Sequence, residues 1–309
     1  MKIICDSENY AIEPCVATIG FFDGVHRGHQ YLIEQVKAVA ADKGLRTALI
    51  TFPVHPRKVI DPDYKMEFLS TLSEKEELLD KTGVDYCFLL NFTSDISGLS
   101  AHDFMFEILK KQFKVDSLII GYDHRFGHNR SEGFKDYYQY GKEIGMDVIH
   151  ARAFTIDGHK ISSSVIRTAL LSGNLDQANS YLGYSYYLDG LVVTGHKIGR
   201  TIGFPTANLK VDSSKIIPAN GVYAVRVDVE GQEYAGMINI GFRPTLNNGI
   251  NRTIEVNIIN FNDDIYGKAI RVYFVKHIRS EIKFSGIEEL KSQLHKDQAD
   301  VKGIFKSQI

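Results

Sequence analysis

Short apolar runs alternate with amphipathic runs through the first half of the chain. The predicted strands are 16–19, 46–52, 86–91, 117–121 and 147–151. The predicted helices are 30–43, 73–82, 101–112 and 133–144, with Ser73 and Glu76 as a capping box of the second. This alternation predicts an α/β domain, in which helices cover a parallel sheet and ligands bind at the carboxyl ends of the strands.

The pattern changes after a short helical stretch that ends at Gly183. The segments that follow are short, rich in β-branched residues and separated by Gly, Asn or Asp: 188–194, 221–229, 233–240, 253–259 and 269–277. They predict an antiparallel barrel or sandwich, which a helix from Gly286 onward completes. A length of 309 residues also favours two domains. We place them at 1–183 and 184–309.

Composition and charge narrow the function classes. A hydrophobic content of 44% supports ordinary cores, and a net charge of -2 gives no general attraction to nucleic acid or membrane surfaces. The three cysteines lack paired spacing, which argues for a reducing compartment and against a zinc site or disulfide framework. No apolar run approaches the roughly 20 residues of a membrane helix. We expect a cytoplasmic protein, and a homo-oligomer stays open.

The stretch GFFDGVHRGH, residues 20–29, joins the first predicted strand to the first helix. Its glycines allow a ligand to approach the backbone, and the free N–H groups of a helix N-terminus suit a phosphate. His26 and His29, three residues apart, point to the same side. A metal site or an exposed pair are the alternatives, and no third ligand lies at a matching spacing. We interpret the pair as stabilising charge on a transferring phosphorus.

Three further stretches of the first half could converge on this turn. TFPVHPR (51–57) is a stiff loop after a strand, and GYDHRFGHNR (121–130) is dense in donors and glycine. SSSVIR (162–167) opens a helix, where hydroxyls and Arg167 would bind phosphate oxygens. Taken alone, the first is more often an ordinary loop and the last more often an ordinary N-cap.

The second half contains one dense stretch and one isolated carboxylate. GHKIGRTIGFPTAN (195–208) is not a Walker A loop, and alone it would be a glycine-rich hairpin loop. Thr206 and Asn208 would point the same way in an extended segment and offer oxygen ligands to Mg²⁺. Glu255 lies on a predicted strand, where it is either a general base or a solvent-facing residue.

Together these stretches resemble a known family. GFFDGVHRGH resembles the motif of HxGH nucleotidyltransferases, and with TFPVHPRKV, GYDHRFGHNRSEG and ISSSVIR it is similar to the FMN adenylyltransferase module of prokaryotic bifunctional riboflavin kinase/FAD synthetases. GRTIGFPTAN, INIGFRPT and Glu255 resemble the riboflavin kinase module. The resemblance implies a Rossmann-like sheet followed by a six-stranded Greek-key barrel with a C-terminal helix. It also implies that ATP phosphorylates riboflavin to FMN and then adenylylates FMN to FAD, releasing pyrophosphate.

The resemblance further assigns roles to residues. It makes Glu255, His26 and His29 catalytic, and it makes Thr206 and Asn208 ligands of Mg²⁺ bound with ATP. The implied ATP and phosphate contacts are Gly20, Phe22, Asp23, Gly24, Gly28, Asp123, Arg130, Ser163, Ser164, Arg167, Gly195, Gly199, Arg200, Gly203 and Pro205. The implied flavin contacts are Phe52, Pro56, Asp123, Phe126 and Arg279. The chain departs from the family pattern at Phe21, around Thr93, at His124 and at Asn257.

Two other functions stay open at this point. The first domain could adenylylate a phosphorylated acceptor other than FMN, while only the kinase acts on flavin. The chain could instead be a regulatory protein that binds flavin without turnover, although a pure binder needs neither the histidine pair nor Glu255.

Overall fold

The chain forms two compact units. A computed structural model describes residues 1–5, 11–61, 63–121, 124–128, 131–156, 158–195, 199, 202–244 and 250–306, without the side chains of 60, 243, 244, 250 and 251. One unit comprises 1–66 and 70–163, and the other comprises 67–69 and 164–309. This packing division falls before the domain boundary predicted at 183/184. Packing does not test where an enzymatic module ends, so that boundary stays a prediction.

A six-stranded parallel sheet forms the centre of the first unit. Its strands are β1 (Lys2–Ile4), β2 (Cys15–Ile19), β3 (Arg46–Thr51), β4 (Tyr86–Leu89), β5 (Val115–Ile120) and β6 (Asp147–His150). They lie in the order β1-β4-β3-β2-β5-β6, and every pairing is parallel. The chain moves outward from β2 in both directions, so a crevice opens at the carboxyl end of β2, where such sheets bind ligands.

Helices and short turns connect these strands. They are α1 (Arg27–Lys43), α2 (Pro56–Ile60), α3 (Leu72–Asp80), α4 (Ser94–Gly98), α5 (Ala101–Asp103) with its π-helical continuation Phe104–Gln112, α6 (Phe134–Ile144) and the hairpin β7 (Thr155–Ile156) and β8 (His159–Lys160). The predicted cap of α3 is wrong, because Thr71 and Glu74 form the capping box instead of Ser73 and Glu76. Glu74 is buried, and its Oε2 accepts a hydrogen bond from the Thr71 N–H at 2.8 Å.

The second unit is a closed antiparallel barrel. It contains α7 (Ser163–Leu171, whose first residue belongs to the first unit), α8 (Leu175–Leu182), β9 (Tyr187–Val193), β10 (Ala207–Val211), β11 (Gly221–Val229), β12 (Gln232–Pro244), β13 (Ile250–Ile258), β14 (Ala269–Arg279) and the C-terminal helix Ile287–Lys306. The strands close in the order β10-β13-β12-β11-β14-β9. The run β14-β11-β12-β13 has the 4-1-2-3 order of a Greek key. The fold is therefore a barrel and not a sandwich.

The C-terminal helix packs against the barrel through one apolar cluster and one buried ion pair. Val301 lies in a cluster with Val222, Ala224 and Met237. The guanidinium of Arg279 donates to the carboxylate of Asp297 through Nε (3.0 Å) and Nη2 (2.8 Å), and Asp297 is fully buried. The two parallel hydrogen bonds lock the helix to the end of β14.

Asp297→Ala is expected to lower the free energy of unfolding of the full chain by about 3 kcal/mol, because the largely buried Arg279 guanidinium loses its counter-charge. Asp300→Ala, which removes an exposed carboxylate from the same helix, is the matched control. Chemical unfolding followed by circular dichroism measures both variants. Equal stability of the two variants would contradict a structural role for the pair.

Candidate active sites of the two units

The turn between β2 and α1 has strained backbone geometry. Phe22, Gly24 and Val25 have φ values of 54°, 74° and 36°, all in the left-handed region. That region is costly for a β-branched valine, and such strain concentrates at functional sites. Phe22 and Val25 are each 1% exposed, so packing into the core beneath the turn holds this conformation.

His26 is the N-cap of α1, and this role fixes its tautomer. Its Nδ1 accepts a hydrogen bond from the backbone N–H of His29 at 3.3 Å. The neutral ring therefore carries its proton on Nε2, which is left as a donor. A Cβ on Gly28 would lie 3.1 Å from Cε1 of His26. A side chain at this position would press on the His26 imidazole, which folds back over Gly28.

His29 stacks on His26 and is held neutral. The ring centroids lie 3.6 Å apart with an angle of 18° between the planes. Burial lowers the pKa of His29 well below its usual value, and electrostatic interactions with His26 and Lys75 lower the same pKa further. Its Nδ1 has no hydrogen-bond partner in the part of the chain that the structure describes. In any contact with a phosphate, His29 would act as a neutral hydrogen-bonding ring and not as a cation, and that contact stays a prediction.

Other residues of this turn serve to hold it in place. The carboxylate of Asp23 is buried and accepts from the Ser70 N–H (3.2 Å), while the Gly24 N–H donates to Ser70 Oγ (3.0 Å). The hydroxyl of Ser163 donates to the Asp23 carbonyl at 3.0 Å. The serine stretch thus reaches the histidine turn through Ser163, as its predicted convergence requires. The Gly20 N–H donates to the Ile50 carbonyl at 3.0 Å.

The residues assigned to flavin in this unit are packed to different degrees. Phe52 is 7% exposed and lies edge-on to Phe92. Phe126 is 9% exposed and stacks on Tyr137 with ring centroids 4.2 Å apart. Pro56 begins α2. Asp123 and Arg130 lie outside the described residues. Contact of these residues with flavin or ATP stays a prediction.

Sequence reasoning missed Lys75 on α3, which is 2% exposed. Its ammonium donates to the carbonyls of Phe52 (2.8 Å) and Phe21 (3.3 Å) and lies 4.2 Å from the Phe21 ring centroid. Burial lowers its pKa to about 8. The sequence feature that could have predicted its burial is spacing. Lys75 lies four residues before the buried Leu79, on the apolar face of the helix.

Ser164 and Arg167 belong to the second unit by packing. The Arg167 guanidinium donates to the Ser164 hydroxyl at 3.1 Å, one helical turn away. The hydroxyl and the charge are thus presented together at the start of α7. Their proposed contact with the triphosphate stays a prediction.

Glu255 lies beside both predicted magnesium ligands. The Thr206 hydroxyl donates to its carboxylate at 3.2 Å, and Asn208 is its partner across β10 and β13. Asn239 is its partner across β12 and β13. Carboxylate, hydroxyl and amide oxygens are the hard donors that suit Mg²⁺. Among the described residues, no group of three or more His, Cys, Asp or Glu side chains could hold a metal, and the donor set here contains a single carboxylate.

The glycine-rich stretch before Thr206 is shaped by close backbone approaches. A Cβ on Gly195 would overlap the amide of Asn208, and a Cβ on Gly199 would overlap the Phe204 carbonyl. Gly203 has a φ of 83°. Arg200 lies outside the described residues. The glycines at 195 and 199 therefore allow close approach to the segment that carries the predicted magnesium ligands.

Asn257, a departure from the family pattern, braces this segment. Its side-chain amide donates to the Pro205 carbonyl at 2.7 Å, and the residue is 5% exposed. A cavity of about 420 Å³ opens beside the same segment. Its lining includes Pro205, Thr206, Asp264 and Tyr266. A pocket of this size accepts a small ligand. Arg279, assigned to flavin, is engaged by Asp297, and its contact with flavin stays a prediction.

If the barrel phosphorylates riboflavin, as the resemblance implies, Gly195→Ala is expected to reduce that rate about 10-fold, because the added methyl group displaces the Asn208 amide. Gly286→Ala is the control, since a Cβ there meets no atom within 4 Å. Steady-state rates of FMN formation measure both. If the rate for Gly195→Ala equals that for Gly286→Ala, Asn208 does not depend on this close approach.

Comparisons with known proteins agree with this two-part organisation. Residues 8–165 match the FAD synthetase family, and residues 182–305 match the riboflavin kinase family. A bifunctional riboflavin kinase/FMN adenylyltransferase from Listeria monocytogenes is 39% identical over 94% of this chain and 92% of its own length. The protein of the same name from Escherichia coli K12 is 37% identical over 99% of this chain and 98% of its own length.

A solved structure supports the whole fold. It is described as a macrolide-efflux protein from Streptococcus pneumoniae, is 32% identical, and superposes with a TM-score of 0.89 over 97% of this chain and 98% of its own. That description concerns the Streptococcus protein and gives no activity to this one. Among the described helices here, none has the length and apolar character needed to cross a membrane. From the two family matches and the near-full-length relatives, the chain belongs to the bifunctional riboflavin kinase/FMN adenylyltransferase family.

Proposed function

We propose that each unit performs one of two consecutive reactions of flavin cofactor synthesis. As a member of its family, the chain is an enzyme that phosphorylates riboflavin to FMN and adenylylates FMN to FAD. The barrel is the site of the first reaction, and the α/β unit is the site of the second. The observation that carries this division is the position of Glu255 beside Thr206 and Asn208 in the barrel, within the part matched as riboflavin kinase.

In the barrel, Glu255 is the general base. Its carboxylate takes the proton of the riboflavin 5'-hydroxyl as the oxygen attacks the γ-phosphorus of ATP, and ADP leaves. Thr206 and Asn208 would hold Mg²⁺, which offsets phosphate charge when bound. The hydrogen bond from Thr206 orients the carboxylate before substrate binds. The rigid strand β13 fixes its distance from the ligand segment.

In the α/β unit, His26 and His29 stabilise adenylyl transfer. A phosphate oxygen of FMN attacks the α-phosphorus of ATP, the bond to the β-phosphate breaks, and pyrophosphate leaves. Nε2–H of His26 and the neutral ring of His29 hydrogen-bond the phosphate oxygens on which charge develops. The strained turn holds both rings ready, so no covalent intermediate with the protein is required.

The proposal also includes conditions that the family match leaves open. Both reactions need Mg²⁺ with ATP, supported in the barrel by the oxygen donors around Glu255. A cytoplasmic location is supported by the three unpaired cysteines, of which Cys15 and Cys87 are buried thiols. Neither nucleic acid nor a membrane surface is a partner, consistent with a net charge of -2. A homo-oligomer is compatible with the proposal.

A product assay tests the proposal. Riboflavin with excess Mg²⁺ and ATP is expected to give FMN, ADP, FAD and pyrophosphate, and FMN with ATP is expected to give FAD and pyrophosphate. Chromatographic separation of the flavins measures both. FMN without FAD would favour a different acceptor for the first unit. Tight FMN binding without release of ADP or pyrophosphate would favour a regulatory protein and contradict the proposal.

A further inference from the structure

Lys75 joins two loops that follow neighbouring strands of the parallel sheet. Its ammonium donates to the carbonyl of Phe52, after β3, and to the carbonyl of Phe21, after β2. The Thr51 hydroxyl donates to the same Phe21 carbonyl at 3.2 Å. Each loop belongs to a stretch that the sequence points to as chemistry-bearing. The ammonium of this α3 lysine therefore connects the two loops by hydrogen bonds.

The charge of Lys75 is not compensated by an ion pair. It is 2% exposed, and no salt bridge within the described parts of the chain includes it. Its close partners there are two neutral carbonyls and the face of the Phe21 ring. The Asp23 carboxylate attracts the ammonium electrostatically but forms no ion pair with it. Burying an ammonium without a directly paired carboxylate is unfavourable. A lysine whose only purpose was packing would be replaced at lower cost by leucine or methionine.

We propose that Lys75 is a positioning residue for adenylyl transfer. Its ammonium clamps the loops after β2 and β3 together and thereby fixes the turn that carries His26 and His29. This inference rests on the proposed role of that turn in FAD synthesis. Lys75 itself is not assigned a contact with substrate.

The clamp acts on His29 through two routes. Phe21 precedes Phe22, whose ring packs edge-on against His29 with centroids 5.2 Å apart. Fixing the Phe21 carbonyl therefore fixes the ring beside His29. The positive charge of Lys75 also contributes to the lowered pKa of His29. Loss of the ammonium would loosen the position of His29 and remove one cause of its neutrality.

The clamp loses its charge within an accessible pH range. Burial lowers the pKa of Lys75 to about 8, so the ammonium is present below pH 8 and is lost as pH rises through it. The groups that face it are Asp23 from the turn, His29 from α1, Cys87 from β4 and Glu76 on its own helix. Burial raises the pKa of Cys87 to about 12, and that of His29 lies far lower. Neither of these two titrates near pH 8.

The test measures kcat/KM for adenylylation of FMN by the full chain from pH 6.5 to 9.5. The wild type is expected to lose activity as pH rises through about 8. Lys75→Arg, which stays charged throughout, is expected to lack this fall. Lys75→Met is expected to be about 10- to 100-fold less active at pH 7, with no further fall near pH 8. Lys81→Met, an exposed lysine at the end of the same helix, is expected to match the wild type.

The outcomes distinguish failure of the clamp from failure of the proposed function. A wild type whose activity is constant through pH 8, or a Lys75→Met protein within twofold of it, would overturn the clamp. A fall near pH 8 that persists in Lys75→Arg would overturn it as well. If Lys75→Arg does not fold, the wild-type profile and Lys75→Met still decide. Absence of FAD from the wild type at every pH would instead refute the proposed function. The rate of FMN formation by each sample shows whether its second unit is folded and active.

Discussion

His29→Ala is expected to lose FAD synthesis while it continues to make FMN. Removing one preorganised donor that faces developing charge typically costs about 100- to 1000-fold in kcat. His29 is neutral and stacked on His26, so alanine removes a hydrogen-bonding group and leaves a gap beside the ring that caps α1. The measurement is kcat for FMN adenylylation, with the rate of FMN formation from riboflavin taken on the same sample.

His102→Ala is the matched control, because it removes a partly exposed histidine from the same unit. Its two rates are expected to equal those of the wild type. Because the pKa of His29 lies well below its usual value, the ring stays neutral above that low pKa. Titration of His29 should therefore cause no loss of the adenylylation rate as pH falls from 7.5 to 6.5. Equal loss of both activities in His29→Ala would show that the turn is needed for folding of the chain and not for one reaction.

The buried central strands gave the clearest signal in the sequence, although β6, with one buried residue of four, was also predicted. All five residues of β2 are buried, and apolar runs of this kind mark central strands. β1 has only three residues at the sheet edge, and β10 has one buried residue of five, so neither produces a periodic signal. β10 was anticipated only as an extended segment carrying Thr206 and Asn208. Its pairing with β13 is tertiary information.

In the candidate sites too, features fixed by local sequence could be predicted and features fixed by tertiary contacts could not. His26 and His29 could be placed together from sequence because three residues on one helix fix their relative direction. The contact of Thr206 with Glu255 comes from strand pairing between distant segments, and it was not predicted; the family resemblance only gave both residues roles in one reaction. The burial of Lys75 was not predicted, because a lysine is ordinarily assigned to the solvent-exposed surface. Its position on the apolar face of α3 contradicts that assignment.

Glu255→Gln is expected to have the largest effect on the kinase reaction. Glutamine keeps the size of the side chain and can still accept from the Thr206 hydroxyl, so the barrel should fold unchanged. It cannot take a proton from the 5'-hydroxyl, and loss of a general base costs about 100- to 10,000-fold. Riboflavin with ATP should then give neither FMN nor FAD, whereas added FMN should still be converted to FAD at the wild-type rate.

The control for this variant is Glu233→Gln, which neutralises an exposed glutamate of the same barrel that pairs with Arg226 at 3.1 Å. Its FMN formation should equal that of the wild type, so a loss confined to Glu255→Gln cannot come from a changed net charge. If Glu255→Gln instead retains kcat and raises KM for Mg²⁺ with ATP, the carboxylate serves as a ligand beside Thr206 and Asn208. Another group would then have to accept the proton, because the neutral hydroxyl and amide of those two residues do not act as bases at pH 7.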